Sequence, residues 1–207
     1  MYTAYLADTP NGRKISIALE ELGLPYRVQH VDLGAGEQHT PAFERLNPNG
    51  KIPVLVNEDD GTPLFESNAI LFHLATHSGR LIPADGNGRD TVLQWLFLQA
   101  ASIGPMLGQL WWFRHAAPAP NEQALARYTK EARRLYGVIE RRLAATPYIA
   151  GDTYTVADIA CWTWLVTHEE LGLDIGAWPA LAAWLDKVGA RPALQRGLAR
   201  TAEPAHV

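Results

Sequence analysis

The strongest constraint on this chain is the alternation of element types in its first eighty residues. A β-prone run, Tyr2 to Leu6, leads into a helical pattern from Pro10 to Leu22, and that helix is followed by an extended run from Tyr26 to Val31. Ile15, Ala18, Leu19 and Leu22 recur at helical spacing, and Gly23 followed by Pro25 is a stop signal. Thr40 and Pro41 form an N-cap and first-turn pair for a short helix that ends before Asn47 and Pro48. Two short strands, Ile52 to Val56 and Pro63 to Phe65, flank Glu58-Asp59-Asp60-Gly61, a run of hairpin-turn residues. Ser67 to His77 then reads as a helix. The order βαβ, helix, hairpin, helix describes a small α/β domain.

After Gly79 the pattern changes. The stretch from Pro83 to Gly88 has linker composition, and nothing beyond it is strand-rich. Helical patterns follow at about Arg89 to His115, Asn121 to Ala145, Val156 to Leu171 and Trp178 to Ala190, with a short terminal helix. Pro105 lacks a backbone donor and is predicted to bend or break the first of these. The expected organisation is an α/β domain over residues 1–80 and an all-α domain over residues 88–207.

Composition narrows the function. With 47% hydrophobic and 19% charged residues the chain is an ordinary globular protein, neither disordered nor membrane-spanning. A net charge of -4, with Lys and Arg scattered, gives no basic footprint for nucleic acid. The N-terminus shows no secretory pattern, so a cytoplasmic location is expected. A single cysteine, Cys161, excludes an intramolecular disulfide framework and any multi-cysteine metal site, and its place in an apolar helix marks it as a buried small hydrophobe. His73 and His77 share a helix face and read as a structural or solvated pair; no metal is expected.

Several motifs admit two readings. Thr9-Pro10-Asn11-Gly12 joins the first strand to the first helix, and helix-start chemistry alone accounts for it. Equally, the exposed N–H groups and partial positive charge of a helix start favour a thiolate, to which the Thr9 hydroxyl and Asn11 amide could add donors. Pro53 is either an ordinary edge-strand proline or part of a cis Ile52–Pro53 bond that presents the Ile52 backbone to a peptide-like ligand. Ser67 is expected as an N-cap whose helix start suits a carboxylate, with Glu66 before it able to bind an ammonium group. Thr155-Val156-Ala157-Asp158 is a capping box, read as structural. Trp111, Trp112 and Phe113 are consecutive and cannot all face one core, so at least one is expected at a cleft or an interface.

Taken together, Thr9 to Ile15, Asn47 to Pro53, Phe65-Glu66-Ser67 and Thr155 to Ala160 make the chain resemble a cytosolic glutathione transferase over almost its full length. The fold implied is a thioredoxin-like N-terminal domain followed by an α-helical C-terminal domain. Gly104 to Gln109 and His115-Ala116-Ala117-Pro118, with Thr9 to Gly12, are similar to the bacterial nu class, related to a yeast nitrogen regulator with a transferase-like domain. That resemblance implies glutathione-dependent disulfide reduction, weak transfer to aromatic electrophiles, a homodimer, and two glutathione molecules or one glutathione disulfide per site. It implies that Thr9 and Asn11 orient the sulfur and that the Ile52 backbone pairs with the cysteinyl part. Glu66 and Ser67 would hold the γ-glutamyl end, Gln38 and Lys51 would approach the glycyl end, and Arg127 would reach the second glutathione.

Positions 9 to 12 contain no thiol, whereas a thioredoxin-fold redox enzyme acting alone needs one there. Tyr2 and Tyr5 precede the turn and no serine lies in it, so the tyrosine and serine classes fit less well. Glutathione is therefore the expected source of sulfur, acting on a small-molecule disulfide. Two other functions are compatible with the resemblance: conjugation or peroxidase activity on hydrophobic electrophiles, and a non-catalytic glutathione-binding module. Leu110-Trp111-Trp112, where relatives tend to be more polar, is a departure that bears on substrate preference. The helices at 89–115 and 121–145 are the expected dimer contributors.

Overall fold

The computed structural model describes residues 1–202, which form two compact units. One comprises Met1–Leu81 together with the last helix, and the other Ile82–Gly189. The helix expected at the end of the C-terminal domain thus belongs to the first unit, and positions 203–207 of the expected range 88–207 lie outside the described residues.

The first unit is built on a four-stranded sheet of order β2-β1-β3-β4, with β1 at Tyr2–Leu6, β2 at Tyr26–His30, β3 at Val54–Asn57 and β4 at Pro63–Phe65. β1 and β2 run parallel, with Tyr2 opposite Tyr26 and Leu6 opposite His30. β3 lies antiparallel to both of its neighbours, with Tyr5 opposite Val54 and Val54 opposite Phe65. Consequently the end of β1, the start of β3 and the end of β4 share one end of the sheet.

Helix α1, Pro10–Leu22, returns the chain from β1 to β2 and buries Ile15, Ala18, Leu19 and Leu22, as their spacing predicts. Thr9 caps its start by accepting from Gly12 N at 3.2 Å. Its end is a Schellman turn: Gly23, at φ 65°, donates to Glu20 O, and Leu24 N donates to Leu19 O. Arg80 reaches back to the carbonyls of Leu22 (2.9 Å) and Glu21 (3.0 Å), covering others left without a helical partner. Helix α2 is the single turn Pro41–Glu44, capped by Thr40, and α3 spans Ser67–Ser78. A small core of Val31, Phe43 and Val54, with Tyr5, Leu46, Ile52 and Val56 against it, supports the loop between β2 and β3.

In the second unit, α4 (Gly86–Leu98) passes through a π-helical turn at Gln99–Ile103 into α5 (Gly104–His115). The predicted break at Pro105 is thus absorbed without ending the helix: the wider turn lets Gly104 N donate to Gln99 O, and proline, which has no N–H to place, falls in the first turn of α5. Helix α6 (Glu122–Leu143) carries Glu140, whose carboxylate accepts from Ala180 N and Leu181 N at the start of α8 (Pro179–Gly189). Between them α7, Val156–Leu165, opens on the capping box. Asp158 is fully buried and accepts from Ile149 N, Thr155 N and Trp184 Nε1 at 2.9, 2.9 and 3.1 Å. Cys161 is fully buried in the same helix.

Helix α9, Pro192–Ala202, packs on α1 within the first unit. Gly197 permits this approach: a Cβ there would lie 2.6 Å from Ile17 Cα. Ser16 and Thr201 share a buried hydroxyl hydrogen bond, Arg191 forks onto the Glu21 carboxylate at 2.6 and 2.8 Å, and Arg196 pairs with Glu20 at 2.9 Å. These partners are a hundred and seventy or more positions away in sequence for the ion pairs, so a helical period alone could not assign α9 to its unit.

Candidate functional site

The shared end of the sheet gathers three chain segments: Ala7 to Gly12, Asn47 to Pro53, and Phe65 to Asn68. Gly12 is where the first turn of α1 meets the preceding strand exit, since a Cβ there would stand 2.1 Å from the Ala7 carbonyl oxygen. The Thr9 hydroxyl accepts from Gly12 N, which leaves its hydrogen to donate outward. No acidic residue lies in the first turn of α1, so the positive end of the helix is not offset from within that turn. Asp8, just before it, is paired with Arg13 at 2.6 Å.

Asn11 is tied to the third segment. Ser67 Oγ donates to Asn11 Oδ1 at 3.4 Å, which directs the Nδ2 end of the amide away from Ser67. Behind Ser67 lies Lys14, only 1% exposed, whose ammonium donates to Ser67 Oγ at 3.1 Å and Asn68 Oδ1 at 2.9 Å. No sequence motif gives Lys14 a role of its own. Its signal was a cation at the position four before Ala18, on the face of α1 that turns inward.

Ser67 does not cap α3, contrary to its expected role. It is the first helical residue, buried, and its hydroxyl is drawn down to Lys14 and Asn11. The cap position belongs to Glu66, which makes no side-chain cap and sits at φ 70°, ψ 109°. For a residue with a Cβ that conformation costs on the order of 1–3 kcal/mol and turns the chain sharply between strand and helix. The Glu66 carboxylate is left exposed beside a helix start whose first N–H groups have no helical acceptor.

The middle segment is organised by Asn47, a second residue without an assigned role. Its side chain, 3% exposed, donates to Lys51 O at 2.6 Å and accepts from Asn49 N at 3.0 Å, while its carbonyl accepts from Gly50 N. Gly50, at φ 59°, lets the Gln38–His39 turn come close: a Cβ there would lie 3.2 Å from Gln38 O. Gly50, which precedes Lys51, thus lies against the Gln38–His39 turn. Gln38 Oε1 is buried without a hydrogen-bond partner, an acceptor suited to a ligand N–H, and Lys51 is exposed. The Ile52–Pro53 peptide bond is cis, and the Ile52 main chain makes no hydrogen bond among the described residues. A peptide-like ligand would find there a donor and an acceptor side by side.

Arg127 is not part of this group of segments; it is an exposed residue of α6 in the second unit, one helical turn before Glu131. Of the three aromatics, Trp111 and Trp112 are each 42% exposed, and the core position next to them is Leu110. Trp111 Nε1 donates to Glu170 at 2.9 Å, and Phe113 stacks on Tyr128 with ring centroids 5.5 Å apart. His73 and His77 lie with ring centroids 3.9 Å apart, and His77 Nδ1 is engaged with the His73 carbonyl. Burial and then the neighbouring His77 lower the His73 pKa below its ordinary 6.5. Among the described residues no three His, Cys, Asp or Glu side chains form a metal-binding group.

A thioredoxin-like four-stranded sheet with three chain segments gathered at one end, followed by a helical unit, defines the class of protein. The chain belongs to the glutathione S-transferase family, whose N-terminal domain matches residues 9–77 and whose C-terminal domain matches residues 94–192. It is 44% identical to disulfide-bond oxidoreductase YfcG of Escherichia coli strain K12, across 96% of this chain and 94% of the relative. Disulfide-bond oxidoreductase YghU of the same organism is 39% identical, across 93% and 72%. Among solved structures, a Burkholderia graminis glutathione transferase with two glutathione molecules bound per subunit superposes with a TM-score of 0.91 at 41% identity, covering 98% of this chain and 89% of that one. A Pseudomonas putida glutathione transferase with one glutathione disulfide bound per subunit gives 0.88 at 36% identity, covering 95% and 90%.

Proposed function

We propose that this protein is a glutathione-dependent disulfide oxidoreductase in which bound glutathione, not a protein cysteine, supplies the reacting sulfur. One observation carries the reading: the start of α1 offers Thr9 and Asn11 where a redox thiol would be needed, and the chain's one cysteine is buried in α7. The names of the two Escherichia coli relatives and the glutathione and glutathione disulfide found in similar structures support it.

The chain's groups divide the cosubstrate among them. Ile52 pairs its main chain with the cysteinyl residue, and Glu66 and the start of α3 at Ser67 take the ammonium and carboxylate of the γ-glutamyl end. Gln38 and Lys51 take the glycyl end. Lys14 is a positioning residue that holds Ser67, and through it Asn11. The Thr9 hydroxyl, the Asn11 amide and the α1 N-terminus favour the thiolate by donating to it; a pKa lowered by about two units corresponds to about 2.7 kcal/mol of such stabilisation. Thiolate attack on a disulfide RSSR forms one S–S bond, breaks another and releases RS⁻. A second glutathione thiolate then attacks the mixed disulfide, giving glutathione disulfide and the second RS⁻. Arg127 is assigned to that second molecule on family resemblance. A homodimer located in the cytoplasm completes the reading; no helix among the described residues is long and apolar enough to cross a membrane.

The test is NADPH consumption coupled through glutathione reductase, with glutathione and hydroxyethyl disulfide as substrates. Turnover by the wild type that collapses in Asn11→Ala, with the circular dichroism spectrum unchanged, is the expected result. Glutathione binding without turnover would make the protein a binding module. The half-exposed Trp111 and Trp112 favour a second reading, conjugation or peroxidase chemistry on hydrophobic electrophiles, and faster turnover of an aryl halide or a hydroperoxide than of the disulfide would establish it.

A further inference from the structure

A buried cation lies beneath the start of α3. Lys14 is 1% exposed, and its ammonium donates to Ser67 Oγ at 3.1 Å and to Asn68 Oδ1 at 2.9 Å. Ser67 and Asn68 are the first two residues of α3, so the charge stands against the turn whose N–H groups have no helical acceptor. That first turn contains no acidic residue, and neither does the first turn of α1, the helix to which Lys14 belongs.

Holding Ser67 in place does not call for a charge. A neutral donor could hydrogen-bond the same two oxygens, both of which belong to uncharged side chains, whereas an ammonium taken out of water carries a desolvation cost. Salt screens a buried charge far less than an exposed one such as that of Lys51. Glu66, the residue before the turn, has an exposed carboxylate on a backbone held at φ 70°. The α3 start is therefore flanked by one buried positive and one exposed negative charge, an arrangement that complements the carboxylate and ammonium of an α-amino acid better than it does a simple anion.

Resting on the proposal that glutathione binds at this end of the sheet, we infer that Lys14 selects for the α-carboxylate of the γ-glutamyl group. Its charge, acting from beneath Ser67, favours thiols that carry a free α-amino acid at this end over thiols that lack one. The effect belongs to the charge of the side chain and not to its hydrogen bonds, and the ligand group that feels it is the carboxylate.

Calorimetric titration of the whole protein compares glutathione with γ-aminobutyryl-cysteinylglycine, which keeps the ammonium, the thiol and the glycyl end but lacks that carboxylate. The wild type should bind glutathione at least about tenfold more tightly than the analogue. Lys14→Gln retains a hydrogen-bond donor and removes the charge; it should weaken glutathione by about tenfold and the analogue by less than about twofold, so that most of the preference is lost. Should Lys14→Gln fail to fold by circular dichroism, Lys14→Met takes its place with the same expected result. Equal weakening of both ligands would reduce Lys14 to a structural support and overturn the assignment, as would a variant that keeps the wild-type preference or a wild type that binds both ligands alike. Because binding is read without turnover, a protein that binds glutathione and reduces no disulfide contradicts the reaction proposed above and not this assignment, whereas a wild type that binds no glutathione overturns both.

Discussion

Replacing Gly12 by alanine tests how the sheet end and the α1 start are joined. On helix propensity alone the change should stabilise the protein by about 1 kcal/mol, because glycine is a poor interior helix residue. The structure reverses the sign. An added Cβ would stand 2.1 Å from Ala7 O, against an ordinary carbon–oxygen approach of about 3.3 Å, so the backbone must open by about 1 Å. Overpacking of that kind costs about 1–3 kcal/mol, and loss of the Gly12 N to Thr9 Oγ1 cap adds about 1 kcal/mol. The net, after the propensity gain, is about 1–3 kcal/mol, a fall in Tm of about 2–12 °C for a chain of this size. Displacing Thr9 and Asn11 by about 1 Å should lower turnover by about a hundredfold. Differential scanning calorimetry and the coupled disulfide assay read the two effects. A Gly12→Ala protein as stable as the wild type, with full turnover, would refute the close approach and the role given to the α1 start together.

Other outcomes follow from single sites. Asp158→Ala orphans four buried donors, Ile149 N, Thr155 N, Thr155 Oγ1 and Trp184 Nε1, at about 1–3 kcal/mol each, so urea denaturation should show a loss of at least about 3 kcal/mol or no folded protein. At position 66, where φ is 70°, glycine should be more stable than alanine by about 1 kcal/mol in thermal melts, although both lose affinity for glutathione by the reading above. The His73 pKa is lowered in the fold, so the unfolded chain takes up this proton first as pH drops through 6.5; stability should fall there, and His73→Gln should flatten that part of the curve measured by denaturation at a series of pH values. Gly197→Ala should loosen α9 from α1 and cost about 1–3 kcal/mol, visible as earlier amide exchange in α9.

Much of the local chemistry could be read directly. Thr9, Pro10 and Gly23 fix α1 because caps act over three or four residues, and the Thr155–Asp158 box is legible for the same reason. Roles that depend on remote partners were not. Ser67 carries the residue type of an N-cap, yet Lys14, fifty-three positions earlier, claims its hydroxyl and passes the cap position to Glu66. Lys14 itself reads as surface charge until α3 covers it. Pro105 announces a disturbance in the helix but not its form, since a kink and a π turn both relieve a missing donor. Helix α9 shows only a period, and its attachment depends on Gly197, Thr201 and two arginines finding α1. That three consecutive aromatics cannot share one core is legible from their spacing, while the choice of Leu110 as the buried residue depends on the turn of α5.

The central claim is that the reacting sulfur comes from glutathione. Turnover of hydroxyethyl disulfide by a Cys161→Ala variant, in the glutathione reductase-coupled assay, tests it most directly. Because Cys161 is fully buried in α7, the account predicts a rate within about twofold of the wild type and continued dependence on added glutathione. A folded variant that has lost turnover would contradict it.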